Sequence, residues 1–330
     1  MEPGSHIQIT REEATWIASI LVLGELMSSL ICGYLADVFG RLRMFQLCTL
    51  FNALGYALVA ASSNFLTLVT GRFFMGVAIG AYSAGTVFVS ETSPPEFRGL
   101  FLSMSSTCIA VGLGLMSFIG VYLPWNIAST IMCSFAMLAF ILTFLYHEPA
   151  SWLVQMGRLD EAEQSLKRVE LPENVNARLK EIQEAKAERE KEGGGLKIGF
   201  DVILEPTVWK PFLMMTAISA LQGGSGYYTV VFYTINFIEE FQIPFDSAQV
   251  MMAFGVARVL SSASSTLLLR RMGRKTIGAI SGFASALVLS VVCGYLQLRS
   301  NNPVLAEEYS WVPACSLILS RNLPFAMDHA

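Results

Sequence analysis

Charged residues are scarce in this sequence. They make up 15% of its 330 residues, the net charge is only −4, and the basic residues are not gathered into one patch. A nucleic-acid-binding protein is therefore excluded, because such a protein needs a concentrated positive surface. Hydrophobic residues make up 53% of the chain, which is more than a soluble domain normally hides. This balance predicts a membrane protein.

The groups that enzymes and metal sites use are also few. All six cysteines lie inside apolar runs and none forms a C-x-x-C pair, which argues against a disulfide framework or a zinc site. Residues 1–9 lack the regions of a cleavable signal peptide, and no N-x-[ST] glycosylation sequence occurs. The three histidines are scattered, so we expect neither an enzyme nor a cofactor. They are His6, His147 and His329.

Eight apolar runs are long enough to cross a bilayer. A bilayer core of about 30 Å requires about 20 helical residues, and a helix satisfies its own backbone hydrogen bonds. The sequence therefore predicts an all-α fold, a polytopic transmembrane helical bundle. A ninth run begins at Trp311 and is interrupted by Arg321 and Asp328. The predicted spans are residues 15–35, 44–61, 65–89, 100–123, 127–146, 211–237, 248–269 and 276–298.

A charged segment separates the fifth and sixth runs. Residues 155–197 alternate acidic and basic side chains at helical spacing, which is typical of a soluble helical linker. Arg41, Arg98 and Lys275 lie on the same side of the predicted spans as this linker, and the positive-inside rule places that side in the cytoplasm. Residues 1–13 are then external, and we expect that a preceding helix is missing.

Several short motifs follow one another along the chain. The stretch around Gly40 joins an acid to two arginines, and a weaker copy surrounds Gly273. Four such motifs can be distinguished. They consist of Gly33, Asp37, Gly40 and Arg41; of Gly71, Arg72 and Phe73; of Glu91, Pro94, Arg98 and Gly99; and of Glu148, Trp152 and Leu153. Their order resembles the sugar porter branch of the major facilitator superfamily, which includes facilitated glucose and trehalose transporters.

The resemblance implies two six-helix bundles joined by a cytoplasmic helical linker. The first run here corresponds to the family's second helix and the last complete run to its ninth. We therefore expect that the first helix and most of the last three are absent. The predicted domains are an external segment at 1–14, an N-terminal bundle at 15–146, the linker at 147–210, a C-terminal bundle at 211–298, and an external loop with an incomplete helix at 299–330.

The resemblance also implies a solute site on the family's seventh and fifth helices. A sugar site needs amide, hydroxyl and aromatic groups. In the family the seventh helix carries the motif Q-Q-x-S-G-x-N. This chain keeps the first glutamine as Gln222, but it has Gly223 in place of the second glutamine and Tyr228 in place of the asparagine. Close helix packing through the glycines is an alternative. The candidate solute-binding residues are Gln222, Ser225, Tyr227, Tyr228, Tyr233 and Ser106.

Acids and arginines are interleaved at the predicted cytoplasmic helix ends. In one conformational state the ion pairs of such a cluster can hold the cytoplasmic side of the protein closed, and in another state they can separate. Exposed ion pairs contribute only ~0 to 1 kcal/mol each, so several must cooperate. The alternative is that these charges only set the topology. The candidate gating residues are Asp37, Arg41, Arg43, Glu91, Arg98, Glu148 and Arg274.

Two charged residues lie deep in apolar runs. Glu25 and Arg258 precede Gly40 and Gly273 by the same number of residues, and each lies ten residues from the external start of its run, which places both about 15 Å into the membrane. An intramembrane charge is costly, so it needs a partner or a cavity. We predict that Glu25 and Arg258 neutralise each other or line the pathway. Alternatively, each charge pairs with polar groups in its own half of the chain, or Glu25 is protonated. A third alternative is that Glu25 binds a transported proton.

Together these features predict a transport function. The chain is expected to carry a small polar solute, a sugar, across the plasma membrane by alternating access between two helical bundles. Its expected partners are the lipid bilayer and the solute. The alternative is a truncated, non-transporting membrane protein that binds solute or associates with a full-length transporter.

Overall fold

A computed structural model describes residues 10–94, 97–170, 172–191, 206–224, 247–269, 274–301 and 312. These residues form helices, and no strand occurs among them. In chain order the helices are α1 (Arg11–Phe39), α2 (Arg41–Ala60), α3 (Phe65–Thr92), α4 (Arg98–Tyr122), α5 (Trp125–Thr143), α6 (Ala150–Gln155), α7 (Leu159–Val169), α8 (Val175–Lys191), α9 (Pro206–Gly224), α10 (Ser247–Leu269) and α11 (Arg274–Asn301).

Local chemistry sets two of the helix starts. Thr10 forms a capping box with Glu13, in which the Thr10 hydroxyl accepts from the Glu13 amide at 3.3 Å and the Glu13 carboxylate accepts from the Thr10 amide at 2.8 Å. Asn64 caps α3 by accepting from the Thr67 amide at 3.0 Å. These side chains satisfy amides that a helix leaves unpaired at its first turn.

Six of the described helices are long and apolar enough to cross a membrane. They are α1 to α5 and α11, and they match six of the eight predicted spans. The predicted run 248–269 is the helix α10. The run 211–237 begins in α9, and its remainder lies outside the described residues. The chain is therefore an integral, multi-pass membrane protein.

The chain divides into two compact units. The first consists of Met1–Leu102 with Leu123–Leu196, and the second of Ser103–Tyr122 with Lys197–Ala330. Most of α4 thus groups with the second unit, although its neighbours in sequence belong to the first. The domain boundaries predicted from the sequence stay a prediction.

In the first unit, α3 packs between α1 and α2 through small residues. A Cβ built on Gly24 would lie 2.6 Å from the Phe73 carbonyl oxygen, and one built on Gly71 would lie 2.9 Å from the Gly55 carbonyl oxygen. Cβ atoms built on Gly76 and Gly80 would overlap the backbone of α1. Small residues let helix backbones approach this closely, so the three helices form a tightly packed group.

The predicted helical linker is observed as α7 and α8. Together with the short α6 these helices enclose a small apolar core, and we call the three helices the linker module. The Lys186 ammonium on α8 donates to the carbonyl of Val154 at 3.0 Å, near the end of α6, and so ties the first and last helices of the module together. The core residues are Ala150, Trp152, Leu153, Val154, Ala162, Leu166 and Val175.

In the second unit, α4 and α10 run antiparallel in contact. A Cβ built on Gly255 would lie 3.0 Å from the Gly114 Cα, so the two backbones nearly touch there. Further along the same pair, the Ser262 hydroxyl donates to the Thr107 hydroxyl at 3.1 Å. Hydrogen bonds of this kind hold membrane helices in one register.

Candidate functional site

A one-residue turn at Gly40 joins α1 to α2. Gly40 has φ +112°, a value that side chains on L-residues rarely adopt. A Cβ at this position would also overlap the Glu148 carboxylate. Both the backbone conformation and the close approach of Glu148 therefore require glycine.

Glu148 binds the first turn of α2 from a distant part of the chain. Its Oε2 accepts from the Leu42 amide at 3.0 Å and its Oε1 accepts from the Arg43 amide at 3.1 Å. The first amides of a helix are unpaired and carry partial positive charge, so a carboxylate there supplies both hydrogen bonds and charge compensation. Glu148 thus acts as the missing cap of α2.

Arg41 is the buried centre of the site, with only 7% of its surface exposed. Its Nη2 lies 2.9 Å from Asp37 Oδ1, and its Nε lies 3.2 Å from Glu91 Oε1. A further hydrogen bond runs from Nη1 to the Ala36 carbonyl at 3.2 Å. A buried cation is tolerated when it is paired and hydrogen-bonded in this way.

The linker module is bonded to the same two residues. The Ser151 hydroxyl donates to Glu91 Oε2 at 2.7 Å, and the Trp152 indole donates to the backbone carbonyl of Asp37 at 2.9 Å. Ser151 is not among the site residues predicted from the sequence. The motif ending in Trp152 and Leu153, which follows Glu148 directly, is the signal that could have found it.

The structure brings four of the predicted gating residues together. These are Asp37, Arg41, Glu91 and Glu148, which we call the charged cluster. Arg43 and Arg98 are exposed, and neither takes part in an ion pair between described residues. Arg98 instead lines a cavity of about 200 Å³ beside Glu91. The side chain of Arg274 lies outside the described residues.

The predicted solute-binding residues are mostly outside the described part of the chain. Gln222 belongs to α9, but its side chain is not among those described. Ser106 is half-buried on α4 in the second unit. Ser225, Tyr227, Tyr228 and Tyr233 lie outside the described residues. The solute site therefore stays a prediction.

The two intramembrane charges lie in different units. Glu25 is half-buried on α1 in the first unit. Arg258 on α10 in the second is 7% exposed, and it lies one helical turn from the fully buried Ser262. Their pairing stays a prediction. Among the described side chains, no group of three His, Cys, Asp or Glu residues is arranged to hold a metal ion.

A family model matches nearly the whole chain. The model described as "Sugar (and other) transporter" matches residues 4–319. The extent of this match confirms the resemblance inferred from the motifs.

Individual relatives are more distant. The chain is 25% identical over 315 residues to the facilitated trehalose transporter Tret1 of Bombyx mori, covering 95% of this chain and 62% of the relative. It is 27% identical over 304 residues to the solute carrier family 2, facilitated glucose transporter member 8, of Bos taurus, covering 91% of this chain and 60% of the relative. The chain thus spans about three fifths of the length of the curated relatives it matches.

Solved structures show the same fold. The partially occluded inward-open form of the Escherichia coli xylose transporter XylE superimposes with a TM-score of 0.74 at 16% identity, covering 97% of this chain and 76% of that one. The proton:xylose symporter XylE bound to 6-bromo-6-deoxy-D-glucose gives a TM-score of 0.73 at 17% identity, covering 98% and 78%. The predicted all-α bundle of the major facilitator type is confirmed.

Proposed function

Because the chain belongs to the Sugar (and other) transporter family, we propose that it is a membrane carrier of a small polar solute, a sugar. It moves the solute by alternating access, in which two helical bundles expose a central site to one side at a time. The relatives named as trehalose and glucose transporters, and the xylose transporter among the structural neighbours, support a sugar as the solute.

The observation that carries the proposal is the charged cluster. Arg41 joins the end of α1 to the end of α3, and Glu148 joins the linker side of the chain to the start of α2. The bonds of Glu148 to the α2 amides lie at or near the surface, so water can replace them as the cluster opens, while Arg41 stays buried beside its two acids. We place the cluster on the cytoplasmic side of the plasma membrane. Its bonds keep the solute pathway closed to the cytoplasm in one conformational state and separate in another.

The solute contacts belong to the same proposal. A sugar presents hydroxyl groups around a ring, and hydroxyl, amide and aromatic side chains bind such a surface. We propose that the solute lies against Gln222 and Ser106, with the remaining contacts from Ser225, Tyr227, Tyr228 and Tyr233.

Uptake measurements test the function. Residues 1–330 are expressed in cells that lack sugar uptake of their own, and entry of labelled trehalose, glucose and xylose is followed. We expect uptake of at least one sugar above that of cells with an empty vector. An R41Q variant should transport more slowly, because it removes the cation that Asp37 and Glu91 share, while the exposed R158Q control should not change.

Two results would contradict the proposal. If the chain reaches the membrane and transports none of the sugars, the non-transporting alternative is favoured. If R41Q and R158Q transport equally well, the charged cluster is not a gate. Proton coupling is tested in the same cells with an imposed proton gradient, because Glu25 is a carboxyl group within a candidate span. Coupling through Glu25 predicts that E25Q abolishes any response to the gradient.

A further inference from the structure

A groove opens between α1 and α2 in the first unit. It encloses about 410 Å³, and residues of α3 form part of its wall. Among the described side chains that line it, almost all are apolar; Ser28 supplies one hydroxyl and Arg43 the only charge. The lining residues are Met27, Ser28, Ile31, Cys32, Leu35, Phe39, Arg43, Met44, Leu47, Cys48, Phe51, Val77 and Ala81.

The length of this α1/α2 groove matches one leaflet of a bilayer. From Met27 to Phe39 it follows α1 for about 18 Å. Half of a bilayer core is about 15 Å thick. Because both flanking helices are candidate membrane spans, the groove follows the direction of a lipid acyl chain through one leaflet. An apolar channel of this length does not suit a sugar, which needs hydrogen-bonding groups.

Arg43 lies at the charged end of the groove. The other charged groups at this end are accounted for, because Arg41 is paired with Asp37 and Glu91, and Glu148 accepts two backbone amides. Arg43 is exposed and belongs to no ion pair between described residues, so its charge is available. A guanidinium binds phosphate oxygens with two parallel hydrogen bonds.

We propose that the α1/α2 groove binds one acyl chain of an anionic phospholipid, with the headgroup phosphate on Arg43. The apolar lining takes the chain, and the cation at the mouth selects a lipid with net negative charge. None of its lining residues is a proposed solute contact, and its lipid is counted directly, so its test does not depend on sugar transport.

Native mass spectrometry tests the site on the whole chain of 330 residues. The protein is purified in mild detergent and exchanged with phosphatidylglycerol or phosphatidylcholine of the same acyl length, and retained lipid is counted per protein. We expect preferential retention of phosphatidylglycerol. R43Q should lower that retention about tenfold, the order expected for losing hydrogen bonds to a charged group. K180Q, which removes an exposed charge from the linker module, should leave it unchanged.

A second pair of variants tests the groove itself. Leu47 lines it and is 44% exposed, so L47W fills the groove without entering the helix core, and it should also lower lipid retention. L138W places the same side chain on α5, away from the lining, and should bind lipid normally. Unchanged thermal unfolding of each variant shows that it is folded.

Three outcomes would overturn the proposal. The first is equal retention by R43Q and K180Q, and the second is equal retention by L47W and L138W. The third is a species of twice the protein mass with no bound lipid, which would show that a second copy covers the groove.

Discussion

The charged cluster and the contact between α1 and α3 hold the first unit together in opposite ways. In the cluster, side chains from distant segments meet through hydrogen bonds and ion pairs at 2.7–3.2 Å. Between α1 and α3, glycines bring the backbones together with no room for an added carbon at Gly76 or Gly80. One contact is polar and the other is steric.

This difference shows which part of the unit can move. Polar bonds at a surface can be exchanged for bonds to water at small net cost, so the bonds from Glu148 to the amides of α2 can open and close. Separating α1 from α3 would leave a gap along two closely packed backbones, and every dispersion contact there would be lost. We therefore expect that α1 and α3 move as one rigid body, and that the bonds which open are those from Glu148 and the linker module to the cluster.

The largest effect is expected from G76L, which breaks the steric contact. Its side chain would overlap the Leu21 backbone, which cannot shift without moving α1. We expect a loss of at least about 3 kcal/mol and little folded protein. Size-exclusion elution and thermal unfolding in detergent measure this. G112L is the control, because nothing lies within 4 Å of its Cβ, and it should fold. Equal yields of the two variants would contradict the steric account.

R41M tests the polar contact at its centre. It leaves Asp37 and Glu91 without their cation; because these side chains are 48% and 21% exposed, water recovers part of the loss, which we expect to be about 2 to 3 kcal/mol. The midpoint of thermal unfolding should fall clearly. The control R158M removes an exposed pair with Glu161 and should cost less than about 1 kcal/mol. If R41M unfolds at the wild-type temperature, Arg41 does not hold the cluster together.

A smaller effect is expected from G40A. Alanine is strained at φ +112°, and its Cβ also meets the Glu148 carboxylate, so we expect a loss of about 2 kcal/mol. G157A is the matched control, because Gly157 also has a positive φ of 77° but has nothing within 4 Å of its Cβ. A double-mutant cycle of G40A with E148A isolates the Glu148 contact, and the absence of coupling in that cycle would show that strain alone matters.

The smallest effect is expected from S151A, which removes one hydrogen bond between the linker module and Glu91. A hydrogen bond to a charged group contributes about 1.5 kcal/mol. S134A is the control, since the Ser134 hydroxyl is exposed and bonds within its own helix. Unfolding curves that shift equally for both variants would show that Ser151 does not tie the module to the cluster.

Much of the fold was predictable from the sequence, because the length of an apolar run and the spacing of charges depend only on local residues. The membrane spans and the helical linker follow from these patterns. Which helices pack against each other does not follow from such local patterns. Most of α4 groups with the second unit, where Gly114 meets Gly255, and two glycines in separate apolar runs give no unique pairing.

The charged cluster was predictable only in part. Motif order pointed to Asp37, Arg41, Glu91 and Glu148, but it did not show that Glu148 binds backbone amides instead of an arginine. Backbone amides carry no residue identity, so no sequence pattern reveals them. The role of Ser151 depends on how the linker module folds back, and this too is a tertiary property.

Hydrogen–deuterium exchange at the Gly40 turn tests the central claim most directly, because Glu148 holds the amides of Leu42 and Arg43 when the cluster is closed. The peptide spanning residues 39–45 is followed with and without saturating trehalose, glucose or xylose, and α5 peptides serve as the reference. The account predicts that sugar changes exchange in this peptide several-fold and leaves α5 unchanged. Identical exchange with and without the sugar would contradict it.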